Sequence, residues 1–340
     1  MRQIWIPRPG LPEVLEIRET ELPEPKPTEM RIKVEAAGVN FADISGRLGI
    51  YQDLPPMPVV VGYEVGGCID KVGEKVDPEW LGKDVLGLTR FGGYSESVCV
   101  DQQQVFQRPV GMTAIEGAAL PVNYLTAYQL VCVMGGIRAG ETVLVHSAGG
   151  GVGIAAIQLA KHRGAKVIGT ASTGKHNYLT QIGVDHCIDY RNEDFEKKVM
   201  EITGGAGVEL VLDAVGGKSF KKSYRSLAAT GRLGMFGISS AAVGKSRNRI
   251  AFFKMVANLP WFKFTPIELI NHNKGVFGVN LGRLWGELDR VECWMEDLLE
   301  LYREGLIKPR VDATFPFSEA AEAHHYIQDR KNIGKVLLVP

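Results

Sequence analysis

Val143-Leu144-Val145-His146-Ser147-Ala148-Gly149-Gly150-Gly151-Val152-Gly153, running on into Ile154-Ala155-Ala156-Ile157-Gln158-Leu159-Ala160, decides the fold. A short apolar, β-branched run enters a glycine cluster and leaves as an apolar segment of helical period. That pattern reads as strand, tight turn and helix. Such a turn suits the pyrophosphate of a dinucleotide. Glycine lets backbone N–H groups approach the phosphates, and the positive end of the helix dipole faces them. The G-x-G-x-x-G template is met at Gly150 and Gly153 but begins with Ala148. Glycines also serve tight turns for purely structural reasons, so the flanking pattern must decide.

Downstream, short apolar strands alternate with helical segments: Lys166-Val167-Ile168-Gly169, His186-Cys187-Ile188, Glu209-Leu210-Val211-Leu212-Asp213 and Arg232-Leu233-Gly234-Met235-Phe236. This predicts a parallel sheet covered on both faces, and with the glycine turn after its first strand, a Rossmann domain. Upstream a helix is expected over about Tyr124 to Met134. Before about residue 120 the chain reads as β-rich, with period-two alternation at Met30–Ala36 and Tyr94–Val100 and six prolines from Pro23 to Pro58. Asn40 is placed to cap a short helix from Phe41 to Leu48. Beyond Phe277-Gly278 come a long amphipathic helix (about Trp285 to Arg303), a strand at Val311–Phe315, a helix from Ser318 (as N-cap) to Asp329 and a strand at Lys335–Val339. These pieces are too short to fold alone and are expected to complete the first domain. The expected division is 1–122 with 280–340, and 123–279 as the Rossmann insertion.

Composition narrows the function classes. The 340 residues carry 39 Lys and Arg against 39 Asp and Glu, so no global charge argues for nucleic acid. Five scattered cysteines without a C-x-x-C exclude a cysteine-rich zinc lobe and fit a reducing compartment. The N-terminus lacks a signal-peptide pattern, and no stretch nears the roughly 20 apolar residues of a membrane span. A cytoplasmic soluble protein is the expectation.

The element order resembles the medium-chain dehydrogenase/reductase superfamily. Ala37-Gly38-Val39-Asn40-Phe41-Ala42-Asp43, Arg47-Leu48-Gly49-Ile50-Tyr51, Leu120–Tyr128 and His146–Gly153 are together similar to its quinone oxidoreductase branch. Within that branch Asn123–Tyr128, Gly169–Ser172, Lys175-His176 and Asn332–Pro340 most resemble the vesicle amine transport protein group. The resemblance implies a Rossmann domain inserted in a GroES-like catalytic domain, a homodimer, and NADPH-dependent hydride transfer to a quinone or α,β-unsaturated carbonyl. Where zinc-dependent relatives place their catalytic ligands, this chain has Asn40, Tyr63 and, roughly, Val122. None offers a thiolate or imidazole, so no metal is expected.

NAD-specific Rossmann sites place an acid at the end of the second strand. Here Gly169-Thr170-Ala171-Ser172 is followed by Thr173-Gly174-Lys175-His176. Ser172 and Lys175 can bind a 2′-phosphate, and Tyr190 matches a tyrosine of NADPH-preferring relatives. By resemblance Asn40 and Tyr51 face the substrate carbonyl as hydrogen-bond donors, and Asn40 also borders the cofactor. Gly150, Gly151, Val152 and Gly153 hold the pyrophosphate. Thr126 and the backbone of Phe236, Gly237 and Ile238 hold the nicotinamide, Phe277 closes over it, and Lys335 joins the cofactor set.

Structural alternatives stand beside these. Asn40 equally serves as a helix cap, Tyr51 as a rim aromatic, Asp43 as a structural hydrogen-bonding residue, His146 as a packed core histidine and Lys175 as an ordinary solvated lysine at a helix start. His324-His325 reads as a helix-surface pair. Residues 247–264 interleave aromatics with Arg and Lys, the texture of an interfacial membrane segment. The alternatives there are a lid or a dimer interface. A scaffold that meets lipid and keeps the cofactor fold is therefore the second functional reading.

Overall fold

Period-two burial in the N-terminal third sets the first layer. The computed structural model describes residues 1–242 and 264–340. Strand β1 (Arg2–Ile6) pairs antiparallel with β2 (Glu16–Glu19). In β3 (Glu29–Val39) Met30, Ile32 and Val34 are buried while Lys33 and Glu35 point outward; its last four residues are all buried. Helix α1 (Phe41–Arg47) follows directly, with Asn40 as its N-cap. Strands β4 (Val59–Val60), β5 (Glu64–Val72), β6 (Asp84–Leu88), β7 (Ser97–Asp101) and β8 (Val105–Gln107) lead to helix α2 (Ala114–Ala119). Helix α3 (Pro121–Tyr128) begins at a proline, whose missing N–H costs nothing at a first helical position. It thus starts three residues earlier than expected, and a π-helical turn, Gln129–Val133, extends it.

By contacts the chain forms two compact units, Met1–Leu125 with Leu281–Pro340, and Thr126–Asn280. The second contains β9 (Thr142–Val145), α4 (Gly151–His162), β10 (Lys166–Ala171), α5 (His176–Gln181), β11 (His186–Asp189), α6 (Phe195–Ile202), β12 (Val208–Asp213), α7 (Lys218–Arg225), β13 (Leu227–Met235), α8 (Pro266–His272) and β14 (Gly275–Gly278). Its six strands are ordered β11-β10-β9-β12-β13-β14, and every pairing is parallel. Counted within the unit this is 3-2-1-4-5-6, the Rossmann order, whose reversal lies between β9 and β12. Leu144, Ile168, Val211 and Leu233, one from each of four neighbouring strands, share its buried core.

The returning segment adds α9 (Leu288–Arg303), β15 (Val311–Pro316), α10 (Ala320–Gln328) and β16 (Lys335–Val339) to the first unit. There the larger sheet runs β15-β16-β3-β5-β6-β8, with β7 also on β3. Two expectations are corrected. Ser318 is no N-cap: burial of Phe317 turns 317–319 into a 3-10 segment, and α10 starts at Ala320 with Glu319 as its cap. His324 is not on the surface, because it follows Ala320 by one helical turn and so faces the core with it. His325 does lie outward, paired with Glu13 at 2.7 Å.

Residues 247–263 of the aromatic, basic stretch lie outside the described residues. Among the described ones, no helix is long and apolar enough to cross a membrane.

Candidate active site

Strand register assembles a buried polar cluster in the first unit. Val336 of β16 stands opposite Val39 of β3, so Lys335 arrives beside Asn40. Ala37 stands opposite Val65, which sets Glu64 across from Gly38. The Glu64 carboxylate lies over Gly38: a Cβ there would be 2.6 Å from Glu64 Cγ and 2.8 Å from its Cδ. Glycine at 38 is thus the vacancy that admits the carboxylate.

Lys335 Nζ donates to Asn40 Oδ1 at 2.6 Å and also to Glu64 Oε1. Asn40 Nδ2 donates to Glu64 Oε1 at 2.9 Å, and the Val122 N–H donates to Glu64 Oε2 at 2.7 Å. Asn40, Glu64 and Lys335 are all buried. The arrangement fixes the Asn40 amide, since the ammonium demands its oxygen and the carboxylate its nitrogen. One amide N–H is spent on Glu64, and the second can serve a ligand.

Asn40 is also the cap. Its backbone N–H donates to Asp43 Oδ2 at 2.7 Å, so capping and site are one residue. Asp43 further accepts from the Gly62 N–H at 3.0 Å and from the Tyr94 hydroxyl at 3.2 Å. Burial pushes its carboxyl up to about 7, against the pull of those donors and of Lys335. Tyr94 Oη lies 3.3 Å from His324 Nε2, and Arg47 Nε donates to His324 Nδ1 at 3.3 Å. One tautomer satisfies every contact: a neutral imidazole with its proton on Nε2. Burial, with the Arg47 charge adding to it, lowers His324 to about 3. Asp43 is therefore structural, holding loop 62 and the start of α1 together.

Tyr51, expected at the substrate, sits edge-on to Tyr63 with ring centroids 6.1 Å apart. Lys335, expected at the cofactor, has its ammonium committed to Asn40 and Glu64. Sequence reading overlooked Glu64 as its partner, and Gly38 as the reason the partner fits. A lysine opening an otherwise apolar strand, Lys335-Val336-Leu337-Leu338-Val339, was the available signal.

In the second unit the glycine turn follows β9. Ser147 takes a left-handed backbone, φ 52°, and no side chain caps α4 at Gly150. A Cβ at Gly153 would lie 2.7 Å from the Ala148 carbonyl oxygen, so close helix–strand contact requires glycine there. At Gly150 an added Cβ would meet only the Ser147 oxygen, at 3.2 Å. The uncapped twelve-residue helix and the open glycine face fit a pyrophosphate. Gly151 and Val152 form its first turn. Ser172 caps a 3-10 turn that contains Lys175, whose stem passes over Gly149. Asp189, the acid that ends β11, is occupied by Thr173, Asn192 and the Arg191 N–H. Tyr190 follows it, part exposed.

Phe236 N–H donates to Asp213 O at 3.2 Å, and Ile238 is exposed after Gly237. The Phe277 ring lies against Gly234, while Thr126 is buried in α3. His146 is a core histidine: buried, it contacts Thr170 Oγ1 at 3.0 Å and Ser223 Oγ at 3.1 Å, and burial lowers its pKa.

Two family models match, an alcohol dehydrogenase GroES-like domain over residues 26–110 and a zinc-binding dehydrogenase over 182–338. A synaptic vesicle membrane protein VAT-1 homolog of Rattus norvegicus is 42% identical over 327 residues, covering 96% of this chain and 80% of that protein. The chain belongs to the medium-chain dehydrogenase/reductase superfamily. Its fold is that superfamily's, a GroES-like domain with a parallel Rossmann sheet, and the superfamily is one of oxidoreductases. Among solved structures, Escherichia coli quinone oxidoreductase complexed with NADPH superposes with TM-score 0.88 at 29% identity, covering all of both chains. The CurK enoyl reductase gives 0.86 at 27% identity, covering 99% of this chain and 98% of the other. Among the described residues, no group of three or more His, Cys, Asp or Glu stands together in a way that could hold a metal ion.

Proposed function

We propose that the chain is a zinc-independent, NADPH-dependent reductase that passes hydride to a quinone or an α,β-unsaturated carbonyl, a small hydrophobic substrate. The observation that carries this reading is the end of β10. Ser172 and Lys175 stand where an acid would repel a 2′-phosphate, beside an uncapped glycine turn at the reversal of a Rossmann sheet. The NADPH in the E. coli relative supports it.

In this reading Gly150, Gly151, Val152 and Gly153 take the pyrophosphate, and Ser172, Lys175 and Tyr190 the 2′-phosphate. Thr126, Phe236, Gly237, Ile238 and Phe277 take the nicotinamide. A bound reduced nicotinamide supplies the hydride. Asn40, held by Lys335 and Glu64, presents an N–H to the carbonyl, and Tyr51 lines the acceptor. Asn40 and Tyr51 come from 1–122, Lys335 from 280–340, and the pyrophosphate, 2′-phosphate and nicotinamide residues named above from 123–279. The chain works as a cytoplasmic homodimer. An acceptor whose negative charge is delocalised needs hydrogen bonds rather than a Lewis acid, which is how residues such as Asn40 and Tyr51 suffice.

Titration with NADPH and NADH tests the cofactor assignment. NADPH should bind more tightly, and Lys175→Ala should weaken NADPH by about tenfold while leaving NADH unchanged, the scale of one charge-assisted bond. Equal binding of the two cofactors, unaffected by Lys175→Ala, would overturn it. NADPH oxidation by naphthoquinone should survive dialysis against a chelator.

A second reading, a lipid-associated scaffold with vestigial reductase activity, is favoured by the vesicle-membrane description of the rat relative. Co-flotation with anionic or neutral liposomes should be seen if residues 247–264 meet lipid. Its absence with both rejects that reading.

A further inference from the structure

Tyr63 precedes Glu64 and follows Gly62, so both of its neighbours are tied into the buried cluster, Gly62 through Asp43 and Glu64 through Asn40 and Lys335. Its own carbonyl accepts from the Thr89 N–H at 2.9 Å. Its ring is braced by Tyr51 at 6.1 Å and by Phe91 at 5.4 Å. The side chain is buried, yet its hydroxyl has no hydrogen-bond partner among the described residues. Tyr51 interacts with that hydroxyl, but short of the geometry of a hydrogen bond. An orphaned buried hydroxyl costs about 1–3 kcal/mol, so a fold that keeps one has left a donor for something else.

Among the described residues, two other buried side-chain atoms are unpartnered, Trp5 Nε1 and Arg108 Nε. Arg108 spends its remaining nitrogens on Met112 O and Asp84, and Trp5 of β1 lies under Arg18 of β2. Of these three atoms, the Tyr63 hydroxyl alone is joined through adjacent backbone to Asn40, Glu64 and Lys335.

We propose that the Tyr63 hydroxyl donates a hydrogen bond to the carbonyl oxygen of the acceptor, alongside the free N–H of Asn40. It thereby takes the electrophilic role at a position where zinc-dependent relatives carry a metal ligand. The inference rests on the reductase reading and names the residue that polarises its substrate. Burial raises the Tyr63 pKa, so the phenol stays protonated. When hydride adds at the β-carbon of an enone, the double-bond pair shifts toward the carbonyl. The oxygen carries the charge until water protonates the α-carbon. Both electrons are those of the reduced nicotinamide. A donor aimed at that oxygen binds the charged state more strongly than the ground state, which accelerates the reaction.

The test is Tyr63→Phe, read first by infrared difference spectroscopy of cyclohexenone with an isotope-labelled carbonyl, bound to the protein without cofactor. The wild-type carbonyl stretch should fall below that of the variant complex. With NADPH present, kcat should drop by about 10²-fold with little change in KM or in NADPH affinity. The unfolding midpoint should stay level or rise, because the variant removes an orphaned group. A stretch identical in the two proteins, or no enone binding by the wild type, overturns the proposal. Failure of wild type to oxidise NADPH sinks the reductase reading instead, and the carbonyl stretch still reports on Tyr63.

Discussion

Lys335 and Glu64 form an ion pair with almost no contact with water, and its worth differs from that of the surface pairs. Exposed pairs such as Lys26–Glu29 contribute a few tenths of a kcal/mol to about one. Removing one partner of a buried pair strands the other charge, which costs about 3–5 kcal/mol. Glu64→Gln should therefore lower the urea midpoint substantially, while Glu29→Gln should barely move it. Asp43 and His324, bridged by the Tyr94 hydroxyl, work against each other in pH. Asp43 has its carboxyl raised from 3.8 to about 7, so the folded state holds a proton that the unfolded chain releases. That contribution is full below pH 3.8 and is lost as pH rises to about 7. His324 has its imidazole lowered from 6.5 to about 3, so stability grows as pH rises through that window. The two slopes offset each other. In Asp43→Asn the slope of His324 is left uncompensated, and denaturation between pH 4 and 6 should show stability climbing more steeply with pH than in the wild type.

At the scale of elements, register does the positioning. Gly38→Ala would push the Glu64 carboxylate off its seat and loosen Asn40 from Lys335. Reductase turnover should fall at least tenfold, with a stability loss of about 1–3 kcal/mol measured by denaturation. Periodicity made the elements legible. The strand at Lys335–Val339 was read with its observed bounds, and the glycine turn fell where the Rossmann order requires it. Their contents were less legible. The sequence holds Glu64 beside an apolar strand and Lys335 at the start of another, and nothing local says they meet. Two antiparallel pairings, each remote in sequence, bring them together. His324 was misread because a histidine doublet suggests a surface, whereas its spacing from Ala320 places it inside. Tyr63 was read only as a missing ligand, since an unpartnered hydroxyl is visible only once its surroundings are known.

For the whole molecule, β16 is the decisive strand. It lies between β15 and β3 in the first unit, and its first residue is Lys335. Deleting residues 335–340 would expose the paired edges of both neighbours and leave Glu64 without its cation. The truncated chain should aggregate on expression, and any soluble fraction should lose enone reduction. The superfamily could be read from element order and short motifs spread along the chain, because insertion of a Rossmann unit into a β-rich domain leaves its mark in sequence order. The acceptor could not, since its shape is set by side-chain directions.

The pairing of Lys335 with Asn40 spans 295 positions. On the ribosome, the Asn40 amide is made 295 residues before the cation that orients it. A nascent chain can close its Rossmann sheet early, from neighbouring segments, while the other unit waits for its final strand. Alignment of Asn40 therefore waits on β16. A chain released short of residue 335 lacks an aligned Asn40, even where its Rossmann sheet has already closed.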